Sequence, residues 1–488
     1  MNQPISQLQP NELWNHFQEL CNRPRPSKQE QAVVDYVLDV AARNNLESFL
    51  DTVGNVIVRK PATAGMEDRR GVILQSHLDM VPQKNAASSH NFSTDPISAY
   101  VDGDWVTADG TTLGADNGIG CAAMLAVLES TEITHGPIEA LFTIDEEAGM
   151  TGAQGLQPNV LQGDILLNLD SEDEGELFVG CAGGVDVNIK LPFSSEPVPA
   201  GRVAFELNVG GLVGGHSGLN INDGRGNANK ITNRLLHSAV EKFSVGVYQF
   251  NGGTLRNAIP REAFTGVTVA SEQADAFKIW VSEFAAMVSA ELAGVEDSFA
   301  ITLTPAELPS TQIDGMVLGR FIEAVYACPN GAARMISALP GVVETSNNLA
   351  VVFNDDNTIY VQCLTRSASD TARDDLAESV ASSFRLAGAD VCTAGAYPGW
   401  APKMDTELLT LMINKHSELF DIEPKVSVIH AGLECGILGA IYPNWDMISF
   451  GPTIRGAHSP DEKVSIPAVA SFWEYLKSAL EDMPSATG

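Results

Sequence analysis

Histidine and acidic residues stand at five places along the chain where an apolar run ends or a helix is predicted to begin. These residues are His77 and Asp79, Asp116, Glu146 and Glu147, Asp170, and His458. Ligands of open α/β sheets gather beyond the carboxyl ends of the strands, so we predict that these side chains lie together. Imidazole nitrogens mixed with carboxylate oxygens are typical ligands of zinc and similar ions. The pattern therefore indicates a metal-dependent hydrolase.

Two histidines and three carboxylates suit a two-metal site if one carboxylate is shared. We predict that one ion takes His77 and Asp170, that the other takes Glu147 and His458, and that Asp116 bridges them. Three protein ligands and a shared water then give each ion the open coordination of a catalytic site. Mixed nitrogen and oxygen ligands favour two Zn²⁺ per chain, with Co²⁺ or Mn²⁺ as substitutes.

Two carboxylates beside the predicted ligands suit supporting roles. Glu146 is next to a ligand and is predicted to face away from the ion, as a general base for the water. Asp79 can fix the tautomer of the His77 ring. Each feature also has an ordinary interpretation alone, namely a His–Asp pair, a solvated Glu–Glu turn or a helix cap at Asp116. Their coincidence at one predicted sheet edge favours the metal centre.

Strands and helices alternate around these residues. The predicted strands are short apolar runs at 72–74, 138–144, 165–169 and 447–450. Predicted helices follow at 119–128, which is rich in alanine, and at 466–480, which closes the chain. This alternation predicts an α/β domain in which helices flank a largely parallel sheet.

Proline-rich junctions at 192–201 and 398–402 frame a segment that mixes alternating strands with amphipathic helices. At 488 residues the chain also exceeds the size of one ordinary core. We therefore predict a metal-binding domain in two parts, 1–185 and 400–488, with an inserted α+β domain at 186–399. The glycine-rich loop in the insert predicts that this domain moves as a lid.

The composition argues against several classes of partner. Acidic residues outnumber basic ones by 62 to 29, and the resulting net charge of −33 repels nucleic acid and anionic lipid. No apolar run reaches membrane-spanning length, and the N-terminus lacks the pattern of a secretory signal. Seven cysteines without a CxxC pair are typical of reduced thiols. We expect a cytoplasmic protein that binds neither nucleic acid nor membranes.

Five motifs occur in the order and context of a known family. They are SHLD at 76–79, GADNG at 114–118, DEE at 145–147, LDSE at 169–172 and GAHS at 456–459. Over essentially its whole length the chain resembles the dizinc aminoacylase and carboxypeptidase-like metallopeptidases. Within them it is most similar to the aminoacyl-histidine dipeptidase branch (peptidase D, carnosinase-like). The resemblance implies a zinc-exopeptidase-like catalytic domain, an inserted lid domain and a homodimer.

The resemblance also implies roles for residues outside the metal centre. His216, in GGHSG, matches the lid-loop histidine that stabilises the tetrahedral intermediate, often from the partner subunit. Asn257, Arg366 and Gly432 match the substrate-binding positions, and an arginine fork suits a substrate carboxylate. Without the resemblance, His216 would be interpreted as part of a turn and Arg366 as one half of a surface ion pair.

The function implied by the resemblance is hydrolysis of small dipeptides, with aminoacyl-histidine (Xaa-His) substrates preferred, by a water that Glu146 activates. An N-acyl amino acid deacylase with the same centre is an alternative. A non-catalytic peptide- or metal-binding protein is an alternative of another class. Glu146 separates the last alternative from the enzymes, because a binding protein needs no base beside the metal.

Overall fold

The computed structural model describes residues 4–486, and its contacts divide the chain into two compact units. The first unit comprises the residues up to Gly180, Trp400–Val428 and the residues from Leu433 onwards. The second unit comprises Cys181–Gly399 and Ile429–Gly432. Among the described residues, no helix is long and apolar enough to cross a membrane.

The elements of the first unit begin with two helices and continue as alternating strands and helices. In chain order they are α1 (Asn11–Cys21), α2 (Gln31–Arg43), β1 (Glu47–Leu50), β2 (Val56–Lys60), β3 (Val72–His77), β4 (Ala99–Asp102), β5 (Trp105–Ala108), α3 (Ala115–Glu129), β6 (Ile138–Thr143), α4 (Glu146–Gly149), α5 (Thr151–Gly155), β7 (Ile165–Asn168) and β8 (Glu176–Cys181).

The elements of the second unit are mostly longer strands. In chain order they are β9 (Gly183–Pro192), β10 (Ser195–Pro197), β11 (Arg202–Gly210), β12 (Gly215–His216), α6 (Ala228–Phe243), β13 (Gly246–Gly252), β14 (Ala258–Ile259), β15 (Ala263–Ala270), α7 (Ala274–Glu291), β16 (Ala300–Ala306), β17 (Thr311–Ile313), α8 (Gly315–Ala327), β18 (Gly331–Met335), β19 (Val343–Asn354), β20 (Thr358–Ser367), α9 (Asp370–Leu386) and β21 (Asp390–Tyr397).

The chain then completes the first unit. These last elements are α10 (Glu407–Phe420), β22 (Lys425–Ile429), α11 (Glu434–Ile441), β23 (Asp446–Ser449), β24 (Ile454–Arg455), β25 (Lys463–Ser465) and α12 (Ile466–Glu481).

The main sheet of the first unit has eight strands in the order β1-β2-β6-β3-β7-β23-β8-β22. Its four central strands run parallel, from β6 to β23. This confirms the α/β class with a largely parallel sheet. At one edge β1 and β2 are antiparallel because a short turn joins them, and Asp51 Oδ1 accepts the backbone N–H groups of that turn.

Strand β3 continues three residues beyond its predicted end at 74. Gln75 and Ser76 are fully buried although they are polar, and the Gln75 amide donates to Thr143 Oγ1 (3.2 Å) and Glu434 Oε2 (2.6 Å). Hydropathy alone does not predict such a strand end, because the partners that make its burial possible lie far away in the sequence. The extension carries His77 to the carboxyl end of β3.

Helix α3 is buried along almost all of its length and packs closely on the sheet. A Cβ at Gly120 would clash with Asn117 and Ser76 and would lie 2.7 Å from the backbone oxygen of Leu169. Glycine at this position therefore allows the first turn of α3, which carries Asp116, to approach the ends of β3 and β7.

The second unit is built on a nine-stranded antiparallel sheet, which confirms the α+β character of the insert. Its order is β16-β11-β15-β13-β19-β20-β9-β21, with β18 paired to β19. Helices α6, α7, α8 and α9 contribute Leu235, Phe277, Phe321 and Phe384 to a buried apolar core that they share with the strands.

Candidate functional site

Five of the predicted side chains meet where the parallel strands of the first unit end. His77, Asp116 and Asp170 form one group of possible metal ligands, and Asp116, Glu147 and His458 form another. Within each group the ligand atoms lie within 4.8 Å of one another. Asp116 belongs to both groups, as a bridging ligand must.

The separations between these atoms match those of ligands around one ion. The two oxygens of Asp116 lie 3.2 Å from His77 Nε2 and 3.1 Å from His458 Nε2. His77 Nε2 is also 3.3 Å from Asp170 Oδ1, and His458 Nε2 is 3.1 Å from Glu147 Oε2. Ligand atoms about 2.1 Å from a tetrahedral zinc are about 3.4 Å apart. The geometry therefore fits two ions that share Asp116.

The charges of the site favour cations as well. Glu147 Oε1 is buried and has no hydrogen-bond partner among the described residues. Burial acts to lower the pKa of His77, but Asp170 and Asp116 raise it well above its ordinary value. Hydrogen bonds to Asp116 and Glu147 raise the pKa of His458 to about 11. Such a concentration of negative charge, with nitrogen and oxygen donors, suits divalent metal ions.

Asp79 lies behind His77 and is fully buried. Its Oδ1 is 3.3 Å from His77 Nδ1, and its carboxylate accepts the backbone N–H groups of Glu146 (3.0 Å) and Glu147 (3.1 Å) and the hydroxyl of Ser27 (2.7 Å). Burial opposes ionisation, but His77 and these donors lower the pKa of Asp79 to about 2. The Asp79 carboxylate therefore orients the His77 ring and also fixes the turn that carries Glu146 and Glu147.

Buried Arg25 holds the backbone of the same region through hydrogen bonds. Its guanidinium donates to the backbone oxygens of Leu78 and Asp79, both at 2.9 Å, and to that of Gly114. The chain segments that carry His77 and Asp116 are thereby tied to one side chain. The motifs did not indicate Arg25, because its contacts are with backbone atoms only.

Glu146 lies closer to the cluster than we predicted. Its carboxylate, His77 and Glu147 each offer an atom within 4.8 Å of the others, so the side chain faces the cluster and not away from it. Burial raises the pKa of Glu146 well above its ordinary value, and the charges of Asp170 and Glu434 add to the effect. This position suits a group that exchanges a proton beside the cluster.

Two further carboxylates beside the cluster were missed by the sequence reasoning. Glu172 is half-buried, and its main charged neighbours include Asp116, Asp170 and His458. Glu462 is buried four residues after His458 and accepts backbone N–H groups of the Asp116 turn. Glu172 is the last residue of the LDSE motif at 169–172, but the motif assigned it no role, and the only signal for Glu462 is its short sequence separation from His458.

A second cluster of polar side chains lies within the second unit. Arg366 is buried; it donates from Nη1 to the Tyr397 hydroxyl (2.9 Å) and from Nε to Ser217 Oγ (3.3 Å). His216 Nδ1 accepts the backbone N–H groups of Gly218 (3.2 Å) and Leu219 (3.0 Å). The Nδ1 atom is therefore unprotonated, and the hydrogen of the neutral ring resides on Nε2.

With this tautomer, His216 Nε2 and the Arg366 guanidinium are two hydrogen-bond donors that face each other. Arg366 Nη2 is 3.5 Å from His216 Nε2, and both atoms carry hydrogen. Burial and the charge of Arg366 lower the pKa of His216 to about 4, so its ring is neutral at neutral pH. Two donors this close are complementary to one shared acceptor oxygen, such as that of a carboxylate or an oxyanion.

The remaining predicted positions lie near this second cluster. The backbone oxygen of Asn257 accepts from the Ser217 N–H (2.8 Å), while the Asn257 residue itself is exposed. Gly432 is two residues from His430, which bonds to Ser346 Oγ through Nε2 (2.7 Å) and has a buried Nδ1 without a partner among the described residues. Burial and then Arg366 lower the pKa of His430 to about 3. The motifs did not indicate His430.

Comparison with known proteins gives consistent matches. The chain is 46% identical over 481 residues to the cytosol non-specific dipeptidase of Escherichia coli (strain K12), covering 99% of both chains. Its structure is similar to that of aminoacylhistidine dipeptidase from Vibrio alginolyticus, with a TM-score of 0.92, 46% identity and 99% of both chains covered.

More distant matches share the fold. The aminopeptidase PepT of Bacillus cereus has a TM-score of 0.56 at 16% identity, with 97% of this chain and 98% of that chain covered. The model of peptidase family M20/M25/M40 matches residues 73–482, which include all five possible ligands. The resemblance seen in the motifs is thereby confirmed, and the chain belongs to peptidase family M20/M25/M40.

Proposed function

We propose that this protein is a metallo-dipeptidase that hydrolyses small dipeptides with two metal ions, most readily Zn²⁺, bridged by Asp116. The observation that carries the proposal is the pair of three-ligand groups that share this residue. Its relatives named as dipeptidases, similar over 99% of the chain, support the substrate class. Co²⁺ and Mn²⁺ accept the same donors and are expected to substitute.

In this proposal the residues of the first unit bind the ions and move a proton. Bound divalent ions supply Lewis acidity toward the scissile carbonyl and a nucleophilic water at neutral pH. Glu146 takes the proton of the attacking water and delivers it to the leaving amine, as a carboxylate beside the ligands can. Asp79 holds His77 in one tautomer and fixes the backbone of Glu146.

The second unit is proposed to supply the hydrogen-bond donors for the substrate. His216 Nε2 and the Arg366 fork are complementary to oxygen acceptors, namely the developing oxyanion and the C-terminal carboxylate of a dipeptide. Asn257 and Gly432 are proposed to line the same substrate site. We propose that the second unit acts as a lid and in dimerisation, with the His216 donor acting within one chain or across a homodimer.

The carboxyl group of Glu172 favours a substrate with a free amino terminus. Burial and the negative charge of Asp116 raise its pKa to about 8, and a neighbouring ammonium group would stabilise its ionised form. Its half-buried carboxylate has no ion pair with a lysine or arginine of the described residues, and nearby Arg455 pairs instead with Asp173. A free α-ammonium group beside Glu172 would gain a charge-assisted hydrogen bond. An N-acyl amino acid has no such group, and this difference favours a dipeptidase over a deacylase. We also propose a preference for aminoacyl-histidine substrates and a cytoplasmic location, both supported by the names of the similar proteins.

A hydrolysis screen with parallel metal analysis tests this function. Unblocked dipeptides, including Xaa-His, are compared with N-acetyl amino acids as substrates of one protein preparation. We expect turnover of the unblocked dipeptides, with the highest kcat/KM for Xaa-His. Faster turnover of the N-acetyl amino acids would establish the deacylase instead. Two bound ions without hydrolysis of either class would establish a binding protein.

A further inference from the structure

Glu462 connects the two loops that carry His458 and Asp116. It follows His458 by four residues and immediately precedes β25 in the first unit. Only 2% of Glu462 is exposed. Its Oε2 accepts the backbone N–H groups of Leu113 (2.7 Å) and Gly114 (2.8 Å), and its Oε1 accepts that of Asp116 (3.2 Å). Both oxygens of one buried carboxylate are therefore used by the turn that leads into α3.

These donors lie in the turn before α3 and in its first turn, where the backbone of Asp116 and Asn117 is not yet helical. The N-cap of α3 is Gly114, with a φ of 72° and no side-chain cap of its own. The first backbone N–H groups of a helix have no partner within it, and they favour a negative group close by. The sequence allowed Asp116 to be that cap, but Glu462, which is distant in sequence, provides the acceptors instead.

Because Glu462 accepts these backbone N–H groups, the Asp116 carboxylate remains free for the metal site. Its two oxygens face His77 and His458, while its backbone is held by Glu462. The segment from His458 to Glu462 thus supplies one possible metal ligand and also the anchor of another. If Asp116 rotates or shifts, the spacing of both ligand groups changes, because both include it.

We propose that Glu462 is a positioning residue that holds Asp116 in its bridging orientation and so sets the affinity of the chain for both metal ions. This inference rests on the metal centre of the proposed function, but it concerns metal binding and not the identity of the substrate. Residues that orient metal ligands typically contribute about 10–100-fold to metal affinity.

The test is the affinity of Glu462→Gln for Zn²⁺, measured by chelator competition on metal-stripped protein. Glutamine keeps the shape of the side chain, but its NH₂ group must face at least one N–H donor of the turn. We expect about 10–100-fold weaker binding of both ions. Glu474→Gln is the matched control, because it removes an exposed carboxylate on α12 and should bind zinc as the wild type does.

The melting temperature of each metal-free protein separates positioning from a purely structural role. A structural cap alone predicts a lower melting temperature for Glu462→Gln with unchanged zinc affinity, and that result would overturn the proposal. Glu462→Asp keeps the charge but shortens the reach, and it serves if the glutamine variant does not fold. If neither variant folds with zinc in excess, Glu462 serves the fold and the proposal is wrong. Failure of wild-type protein to bind two ions would instead defeat the proposed function itself.

Discussion

The two polar clusters of this protein are opposites in charge and in construction. In the first unit, carboxylates and histidines surround Asp116. The carboxylates of Asp79 and Glu462 accept backbone N–H groups and so hold the surrounding turns. In the second unit, the donors of His216 and Arg366 converge, and His216 lies in a loop where Gly214 and Gly215 have positive φ. The first cluster is complementary to cations, and the second is complementary to an anionic oxygen.

This difference separates two kinds of chemistry, one in each unit. Buried carboxylates that are fixed by backbone donors suit ligands, which must keep their spacing when metals bind. A donor pair on a glycine-rich loop suits a substrate contact, which must form and break in each turnover. Substitutions in the first cluster should therefore change metal content or proton transfer, and substitutions in the second should change kcat or KM alone.

The largest expected effect is that of Asp116→Ala. Because Asp116 belongs to both ligand groups, its loss should remove most of the bound metal and all measurable dipeptide turnover. Metal content by mass spectrometry and hydrolysis rates check this together. Asp35→Ala, which removes an exposed carboxylate on α2, is the control and should keep its metals and its rate. Two metals per chain and near-normal turnover in the Asp116 variant would refute the bridge.

Glu146→Ala should separate metal binding from chemistry within the first cluster. Loss of a general base typically lowers kcat by about 10²–10⁴-fold, and the five proposed ligands remain in place. Stopped assays at saturating dipeptide, with metal content measured in parallel, check this. Glu132→Ala, an exposed change, is the control. Loss of metal from the Glu146 variant would mean that Glu146 and not Glu147 is the ligand.

His216→Ala should lower kcat by about 10²–10³-fold, because one donor to the developing oxyanion is removed. Metal content should not change, and KM should change little. His237→Ala, a change of a half-exposed histidine in the same unit, is the control. A rise in KM with unchanged kcat would make His216 a ground-state binding residue.

Mixed dimers decide whether His216 acts within one chain or across the proposed homodimer. Chains with His216→Ala are combined with chains that carry Glu146→Ala, and each variant alone should keep only its low residual rate. Restored turnover indicates donation from the partner subunit. If no turnover returns in verified mixed dimers, donation occurs within one chain.

Glu172→Gln should have the smallest effect, about a 10–100-fold rise in KM for unblocked dipeptides with little change in kcat. A hydrogen bond between charged groups contributes about 1.5–3 kcal/mol, and the amide cannot replace the charge. Glu174→Gln, an exposed change two residues away, is the control. An unchanged KM would show that Glu172 does not contact the substrate ammonium.

The same contrast explains how much could be predicted from the sequence. The side chains of the first cluster follow parallel strands, and the ends of such strands share one edge, so apolar runs ending in His77, Glu147 and Asp170 predicted which residues would meet. The antiparallel edge strands were not predicted, because they depend on turn geometry.

The second cluster could not be predicted from spacing. Arg366 and Tyr397 come from separate strands that both pair with Gly184 in an antiparallel register that no local pattern specifies. His430 joins them through Ser346, the β19 partner of Arg366. Family resemblance indicated His216 and Arg366, but it gave no indication of the ring tautomer or of the donor pair. The sequence did not indicate Arg25 or Glu462, because they bond to backbone groups, and backbone partners cannot be recognised from residue types.

We propose that dipeptide hydrolysis by this protein requires two metal ions held in one shared centre. The most direct measurement is a titration of metal-stripped protein with Zn²⁺, in which bound zinc and the hydrolysis rate of an unblocked dipeptide are recorded together. We expect no activity without metal and a rate that saturates at two zinc ions per chain. Full activity at one equivalent, or hydrolysis that persists in the metal-free protein, would contradict it.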